Sequence, residues 1–419
     1  MSAIERVWAL VEDIGRRTAD PPGITRPAWG EQEELAADAV CDFAAREGLQ
    51  ALRDPFGNIS MLLPGQDPGA PAVTSGSHLD TVPHGGNYDG LAGVAAGLAV
   101  VAAAKSAGAK AAGAAVPLRA IAMRCEESPW YGTAYLGSRL MLGLSTLDDI
   151  GSLVRFDNGR TLRQNAEALG YPRRGAPVAP RLNKDNVRSF LELHIEQGPL
   201  LETEAIPVGI ATAVRGNVRF PNARCVGAYA HSAALPRRFR QDAVLAVAQL
   251  MLAVDEYWAR RIAAGDEDFV ATFGKFSTDP ALHAMTKVPG EVTFSINIGA
   301  ASKATQDEAR GFILDLVKTI ARERNVVFEL GEEVGTAPTP LNEAMLLLLE
   351  DSARASGIRT RRMPTVGHDT AMFMRAGIPA AMILVRNQNG SHNPHEALQA
   401  DDFAAGVRVL AGAMLRLAA

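Results

Sequence analysis

Histidines and carboxylates follow short apolar segments at four separated places in this chain. The first segment ends in Gly-Ser-His78-Leu-Asp80, and a glycine-rich loop then leads to Asp89. His78 and Asp80 are two residues apart, so on a strand they point to the same face. Asp80 is therefore placed to orient the imidazole of His78, as carboxylates do for histidines that bind metals. Taken alone, the pattern also fits a surface histidine followed by acids that cap the next helix.

The second place is a pair of adjacent carboxylates, Glu126 and Glu127, which follow an apolar segment at 118–124 after one intervening residue. Two carboxylates at a strand end repel each other unless a cation or a shared proton relieves the repulsion. Adjacent side chains also point in different directions, so one can bind a metal ion while the other faces a bound water. A solvated acidic turn is the alternative interpretation.

Two more histidines complete the set. His194 ends an apolar segment and begins His-Ile-Glu-Gln197-Gly-Pro, and His392 lies near the C-terminus in Gly-Ser-His-Asn-Pro-His-Glu. Three histidines together with carboxylates suit Zn²⁺ or a similar divalent ion. A carboxylate that bridges two such ions would hold them about 3.5–4 Å apart. The four segments together predict a dinuclear metal site that activates water.

These four segments, in this order, resemble the M20 metallohydrolases. Within them they resemble the hydantoinase/carbamoylase branch, which includes N-carbamoyl-L-amino acid hydrolases and allantoate amidohydrolases, and the match runs over nearly the whole chain. The resemblance implies that Glu126 is the general base and that Asp80 orients a ligand histidine. It also implies that Asp89 bridges two metal ions. The five implied metal ligands are His78, Asp89, Glu127, His194 and His392.

The resemblance also implies a catalytic role for a histidine in the middle of the chain. Residues 230–236 match the lid-domain segment whose histidine, His231 here, stabilises the oxyanion, usually across a dimer. An imidazole aimed at a developing negative charge is a reasonable electrostatic device. Without the resemblance, His231 would be interpreted as a loop histidine near a helix N-terminus. Gln197 and Gly367 match substrate-contact positions of the family.

The chain departs from the branch where a substrate carboxylate is expected to bind. The branch commonly uses an asparagine and an arginine, and Thr286 and Gly299 occupy those positions here. The loss of the arginine removes a bidentate fork that neither residue replaces. Arg386, six residues before His392, is the first candidate for a substituted anion contact. Further candidates are Arg215, Arg219, Arg237 and Arg238.

Length and composition bound the class of protein. The chain has 419 residues and a formal net charge of −5, so we expect two domains and no basic surface for nucleic acid. Lys105 and Lys110 interrupt the most apolar segment, 91–116, which predicts a buried helix followed by a loop rather than a membrane span. The N-terminus does not resemble a signal peptide, and three scattered cysteines favour a reducing compartment. We therefore expect a cytoplasmic protein that binds neither nucleic acid nor membrane, and the resemblance implies a homodimer that acts on a small molecule.

The order of elements predicts one domain inserted into another. Residues 1–208 alternate helical patterns with short apolar strands, which predicts an α/β domain. The resemblance implies that it is a catalytic domain of the M20 di-zinc exopeptidase type. Residues 209–335 predict an α+β (ferredoxin-like) lid and dimerisation domain, and the α/β pattern returns at 336–419. Within the insert, 214–220 and 224–230 are predicted to be two paired strands and 269–276 a further strand. After the insert, 343–355 is predicted to be a helix and 380–385 a strand.

The expected activity is hydrolysis of an amide or ureido C–N bond in a small molecule, with water activated by two divalent ions. Zn²⁺ is the first choice, with Mn²⁺, Co²⁺ or Ni²⁺ as alternatives. Glu126 would take a proton from the water and return it to the leaving nitrogen. Three alternatives stay open: an M20 peptidase or N-acyl-amino-acid deacylase, a hydrolytic deaminase of an activated aromatic amine, and an inactive dimeric binding protein. The intact Glu126 argues against the last.

Overall fold

The computed structural model of the protein describes residues 1–108, 114–172 and 178–419. The chain divides into two compact units. The first comprises Met1–Thr212, Leu341–Met363 and His368–Ala419, and the second comprises Ala213–Pro340 and Pro364–Gly367. The main segment of the second unit begins four residues later and ends five residues later than the insert predicted at 209–335.

Helices and strands alternate through most of the described residues. The helices are α1 (Ala3–Arg17), α2 (Glu31–Arg46), α3 (Leu91–Ala107), α4 (Leu136–Leu142), α5 (Leu147–Ile150), α6 (Leu162–Ala168), α7 (Leu200–Thr203), α8 (Ala243–Ala263), α9 (Lys303–Arg324), α10 (Glu343–Ala355), α11 (Thr370–Arg375) and α12 (Ala400–Ala418), with a short 3₁₀ turn at Arg237–Phe239. The strands are β1 (Ala19–Asp20), β2 (Gly23–Ile24), β3 (Gln50–Arg53), β4 (Ile59–Leu62), β5 (Ala72–His78), β6 (Leu118–Met123), β7 (Val187–Ile195), β8 (Val208–Val214), β9 (Gly216–Val226), β10 (Ala230–His231), β11 (Val270–Thr272), β12 (Phe276–Ser277), β13 (Lys287–Val288), β14 (Glu291–Ala300), β15 (Val327–Glu329), β16 (Val334–Thr336), β17 (Thr339–Pro340), β18 (Thr360–Thr365), β19 (Ala380–Val385), β20 (Asn387–Gln388) and β21 (Ala397–Leu398).

A mixed sheet forms the centre of the first unit, in the order β8-β19-β7-β5-β6-β4-β3. Strands β19, β7, β5 and β6 run parallel, whereas β8 and β4 are antiparallel to their neighbours. Every residue of β5, β6 and β19 is buried, as expected for parallel strands that are covered on both faces. The fold is therefore mixed α/β, and the parallel strands end at one edge of the sheet.

Helix α3 lies against this sheet and is apolar on all sides. All but four of its 17 residues are buried, and it packs on α1, α12 and the central strands. A helix without a polar face must be buried in the protein. Of the segment predicted at 91–116, the helix ends at Ala107, and part of the predicted loop lies outside the described residues. No helix in the described part of the chain is long and apolar enough to span a membrane.

The second unit contains an antiparallel sheet in the order β11-β14-β9-β15, with β12 beside β14 and β16 beside β9. Helices α8 and α9 pack against each other and against this sheet, and their apolar residues share its core. Both helices begin at a capping side chain: Asp242 accepts the N–H of Leu245 at 3.0 Å, and Ser302 accepts that of Thr305 at 3.2 Å.

The predicted pair of strands at 214–220 and 224–230 is wrong, because one continuous strand, β9, replaces it. Pro221 and Asn222 suggest a turn, but the strand passes through them and pairs with β14 on both sides. The register shifts there, so that the two residues lie opposite the single residue Ser295. A β-bulge tolerates proline, which has no N–H to donate to a neighbouring strand. Pairing with β14 therefore outweighs the local turn propensity.

Candidate metal centre

The carboxyl ends of the parallel strands bring the predicted ligands together in the first unit. His78 is the last residue of β5, and His194 is the last but one of β7. Glu126 and Glu127 follow β6, which lies beside β5 on the side away from β7. Asp89 comes from the loop between β5 and α3. Ligands commonly bind at this edge of parallel sheets, because loops there can converge on one point.

Three overlapping groups of possible metal ligands occur here, and the ligand atoms of each group lie within 4.8 Å of one another. The groups are His78, Asp89 and His194; His78, Glu126 and Glu127; and Asp89, Glu127 and His392. Asp89 belongs to both the first group and the third. We call the first group the inner group and the third the outer group. A carboxylate common to two groups is what a bridging ligand requires.

The inner group is fully buried and short of hydrogen-bond donors. Asp89 Oδ1 lies 3.3 Å from His78 Nε2 and 3.1 Å from His194 Nε2, and the two ring nitrogens are 3.4 Å apart. Asp89 Oδ1 is buried without a hydrogen-bond partner among the described residues. A buried acceptor without a donor is costly, and a cation between the three atoms would satisfy them all. The inner group therefore fits a divalent metal ion.

The outer group lies nearer to solvent. His392 Nε2 is 3.1 Å from Glu127 Oε1 and 3.6 Å from Asp89 Oδ2, and the side chain of His392 is 49% exposed. Its backbone has φ of 59°, in the left-handed region that residues other than glycine seldom adopt. Such conformations persist where the surrounding structure enforces them, and they concentrate at functional sites.

Hydrogen bonds from Nδ1 leave Nε2 of both buried histidines available to a metal. His78 Nδ1 lies 3.0 Å from the backbone oxygen of Asp80, and His194 Nδ1 lies 3.0 Å from that of Ile195. A carbonyl oxygen only accepts, so Nδ1 carries the hydrogen and Nε2 keeps its lone pair. The Asp80 carboxylate, 3.4 Å from His78 Nδ1, supports the same orientation.

The Asp80 carboxylate also fixes the two adjacent glutamates. Its Oδ1 accepts the backbone N–H of Glu126 at 3.0 Å, and its Oδ2 accepts that of Glu127 at 3.1 Å. All three residues are buried. Asp80 thus contacts the ring of His78, as the spacing predicted. It also holds the backbone of the predicted base and of a predicted ligand, which the spacing alone did not indicate.

The charges of the cluster call for a cation. Burial, together with the neighbouring charge of Glu127, raises the pKa of Glu126 well above its ordinary value, and burial raises the pKa of Glu127. Burial favours the neutral ring of His78, but the carboxylates of Asp80 and Asp89 outweigh it and raise the pKa of His78 well above its ordinary value. Nearby carboxylates thus stabilise a positive charge at His78, and burial makes ionised Glu126 and Glu127 costly without a cation; divalent ions would relieve both effects.

Gly90 permits the close approach of Asp89 to the histidines. Its φ of 69° is unfavourable for residues with a side chain, and a Cβ would lie 2.5 Å from two atoms of the His78 ring. The Gly90 N–H lies 3.2 Å from His194 Nε2. Any larger residue here would displace a ligand.

Several buried polar residues near the centre were not predicted from the sequence. Glu192 accepts hydrogen bonds from Ser77 Oγ at 2.6 Å and from the N–H of Thr370 at 2.9 Å. Burial and the charge of Glu192 raise the pKa of Asp369 to about 7. Glu192 had a sequence signal, because it interrupts an apolar strand two residues before His194 and on the same face.

The structure places the predicted substrate contacts in different settings. Gln197 donates to the possible bridging ligand, with Nε2 2.7 Å from Asp89 Oδ2. Arg386 makes two hydrogen bonds to the buried Asp402, at 3.0 and 2.8 Å. Because Asp402 already pairs with the guanidinium, Arg386 is a weaker candidate for a substrate anion, and this contact stays a prediction. Gly367 is half-buried and belongs to the second unit.

His231 lies in the second unit, where it is exposed and has a defined tautomer. Its Nδ1 accepts the N–H groups of Ala233 and Ala234, each at 3.2 Å, so Nε2 carries the hydrogen of the neutral ring. The N–H of Ser232 donates to the oxygen of Thr286 at 2.9 Å. The predicted oxyanion donor therefore neighbours the position where the branch carries its asparagine.

Two of the other predicted anion contacts of the second unit, Arg215 and Arg219, have partners of their own. Arg215 Nε donates to the backbone oxygen of Asp268 at 3.2 Å, and Arg219 Nε donates to Asn297 Oδ1 at 2.9 Å. Gly299 pairs with Val270, and a Cβ at Gly299 would lie 2.9 Å from a methyl group of that valine. The place of the missing arginine is therefore closely packed.

The fold and the cluster of ligands at the sheet edge define a family. Residues 75–416 match Peptidase family M20/M25/M40, and the chain belongs to this family. It is 30% identical to the N-carbamoyl-L-amino-acid amidohydrolase of Paenarthrobacter aurescens, over 99% of this chain and 98% of that protein. It is also 30% identical to the allantoate amidohydrolase of Escherichia coli K12, with the same coverage.

A solved structure agrees with this assignment. The amidase of the hydantoinase/carbamoylase family from Burkholderia multivorans superposes with a TM-score of 0.89 at 26% identity, covering 99% of this chain and 98% of that one. The predicted M20 family and its hydantoinase/carbamoylase branch are thereby confirmed. The similar proteins named here are amidohydrolases that act on C–N bonds other than peptide bonds.

Proposed function

We propose that this protein is a dinuclear metal-dependent amidohydrolase that cleaves a C–N bond in a small ureido or amide compound. The observation that carries the proposal is the Asp89 carboxylate, which belongs to two groups of possible ligands and lies in one cluster with the buried Glu126. The two 30% identical relatives, named for N-carbamoyl-L-amino acids and allantoate, support the class of substrate.

The donor set suits two divalent cations. The inner group, His78, Asp89 and His194, offers two nitrogens and one oxygen, whereas the outer group, which shares Asp89, offers one nitrogen and carboxylate oxygens. Mixed sets of this kind suit Zn²⁺, with Mn²⁺, Co²⁺ and Ni²⁺ as alternatives. Bound there, the ions would supply Lewis acidity and lower the pKa of a water to near neutrality.

Glu126 would move the proton. It is buried, it belongs to neither the inner nor the outer group, and its backbone is fixed by Asp80. Its carboxylate would take a proton from the water that attacks the substrate carbon, and the resulting acid would give that proton to the leaving nitrogen. A pKa raised by burial and by Glu127 suits a group that must hold the proton between these two transfers.

His231 would stabilise the negative charge that develops on the substrate oxygen. Because its Nδ1 accepts two backbone N–H groups, Nε2–H is available as a donor. We propose that the second unit acts as a lid that brings His231 to the substrate, in its own chain or from a second copy. Exposed apolar side chains on this unit support a homodimer; among them are Leu252, Phe276 and Met285.

The substrate need not carry an α-carboxylate bound in the manner of the branch. Thr286 and Gly299 provide no guanidinium fork, and Arg386 is occupied by Asp402. Hydrolytic deamination of an activated aromatic amine is therefore the second candidate, because it uses the same water chemistry without that fork. An N-acyl-amino-acid deacylase or peptidase of the M20 type is the remaining alternative. Three free cysteines, two of them buried, fit a cytoplasmic enzyme.

The test is a substrate screen of protein loaded with Zn²⁺, Mn²⁺ or Co²⁺. N-carbamoyl amino acids, β-ureido acids, allantoate, N-acyl amino acids and activated aromatic amines would be assayed for ammonia release and analysed by mass spectrometry. Glu126→Gln provides the blank, since it keeps the shape of the side chain and removes the base. Turnover of a ureido compound that is lost in the blank supports the proposal. Turnover of aromatic amines alone favours the deaminase, and no turnover of any compound overturns both.

A further inference from the structure

A buried carboxylate outside the possible ligand set joins two of the loops that supply ligands. Glu396 is 7% exposed and lies four residues after His392. Its Oε1 accepts the backbone N–H of Tyr88 at 2.8 Å and that of Asp89 at 3.2 Å. The residue therefore connects the backbone of the possible bridging ligand to the loop of the outer histidine.

The other oxygen of Glu396 extends this connection to the Asp89 side chain. Ser391 Oγ lies 2.6 Å from Glu396 Oε2 and 2.5 Å from Asp89 Oδ2. Both the backbone and the carboxylate of Asp89 are thus held through Glu396. Asp89 Oδ1, by contrast, has no hydrogen-bond partner among the described residues and faces the two buried imidazoles.

The loop before Asp89 is shaped to receive this carboxylate. A Cβ at Gly86 would overlap the carboxyl carbon and Oε1 of Glu396. The φ of Gly86 is not in the left-handed region, so the restriction at this position comes from Glu396 and not from the backbone conformation. Glycine is therefore required here because the Glu396 carboxylate lies directly against the loop.

From this geometry we propose that Glu396 is a positioning residue of the metal centre, which fixes the bridging carboxylate Asp89 relative to the outer ligand His392. The inference rests on the proposed metal-dependent function and assigns a role to a residue outside the ligand set. Residues that hydrogen-bond to metal ligands fix ligand orientation, and their loss typically lowers metal affinity by about 10–100-fold. A residue that only stabilised the fold would not have this effect on the folded protein.

The experiment measures Mn²⁺ binding by isothermal titration to the full-length protein, together with the thermal midpoint of the metal-free protein. Glu396→Ala is expected to lower Mn²⁺ affinity about 10–100-fold. Glu396→Gln should stay within about threefold of the unmodified protein, because its carbonyl still accepts both N–H groups and its amide can donate to Ser391. Gly86→Ala should lower Mn²⁺ affinity in the same way, although every ligand and Glu396 itself remain. It tests the inference independently if Glu396→Ala does not fold.

Asp268→Ala is the matched control. Asp268 also accepts two adjacent backbone N–H groups, those of Ala301 and Ser302, but it belongs to the second unit, which contains none of the proposed ligands. It should lower the thermal midpoint and leave Mn²⁺ affinity unchanged. Unchanged affinity in both Glu396→Ala and Gly86→Ala overturns the positioning role and leaves the metal centre standing. Absence of Mn²⁺ and Zn²⁺ binding by the unmodified protein overturns the metal centre and this inference together.

Discussion

Replacing Asp80 with alanine removes the shared acceptor of two backbone N–H groups, those of Glu126 and Glu127. Each buried donor left without an acceptor costs about 1–3 kcal/mol, so the two together cost about 2–6 kcal/mol. Burial raises the pKa of Glu126 most, and repulsion from Glu127 and, to a smaller extent, from Asp80 raises it further. Removing Asp80 relieves its part of this repulsion, which offsets part of the cost. We therefore expect Asp80→Ala to lower the free energy of unfolding by about 2–4 kcal/mol.

Asp80→Asn separates the hydrogen bonds from the size of the side chain. An asparagine keeps one carbonyl oxygen, which can accept from Glu126 or Glu127, while its amide group faces the other N–H. The loss of stability should therefore be smaller than for alanine but still measurable. Metal affinity should fall in both variants, by about 10–100-fold for alanine, because His78 also loses the carboxylate that supports its orientation.

The assay is urea unfolding of metal-free protein followed by circular dichroism, with metal affinity measured separately on the folded protein. If the slope of the unfolding free energy against urea concentration is unchanged, the variants alter stability and not the surface exposed on unfolding. Asp268→Ala serves again as the control, with lowered stability and unchanged affinity. The reasoning is refuted if Asp80→Ala matches the unmodified protein in both stability and metal affinity.

Three further predictions concern the histidines and their surroundings. The hydrogen bond to Glu127 raises the pKa of His392 to about 9, so the ring must lose a proton to bind metal. Metal affinity should then rise up to about tenfold per pH unit toward pH 9. Competition with a chelator should show that metal affinity depends less steeply on pH in His392→Ala. His231→Ala should lower kcat about 10²–10³-fold with unchanged metal affinity, and steady-state kinetics with equal rates for both proteins would contradict the oxyanion role. Gly90→Ala should abolish metal binding measured by titration, because its Cβ would lie 2.5 Å from His78; binding as tight as in the unmodified protein would contradict the packing argument.

Local patterns were sufficient for most of the secondary structure. The helix predicted at 343–355 and the strand predicted at 380–385 coincide with α10 and β19. Apolar periodicity determines such elements, since each residue's preference depends on neighbours within a few positions. The segment 269–276 was predicted as one strand, but it overlaps two short strands, β11 and β12, that both pair with β14. Where a strand is interrupted depends on its partner, which is distant in the sequence.

The contacts of long side chains could not be predicted in the same way. Arg386 was selected for its closeness in sequence to His392, yet its guanidinium binds Asp402 on α12. Gln197, expected at the substrate, donates to Asp89. Sequence distance says little about which partner a flexible side chain reaches, because that choice depends on how separate elements pack.

The sequence by itself determined the family, the types of the possible ligands and their positions at the ends of strands, because these follow from residue identity and from short periodic patterns. The resemblance already implied that Asp89 bridges two ions, and the structure places it in two ligand groups. Only the tertiary structure decided that Asp80 holds the backbone of both glutamates and that Glu396 connects two loops. These features join residues up to 308 positions apart in the chain. Their geometry depends on the packing of parallel strands and on loops that converge at one edge of the sheet, which no local pattern encodes.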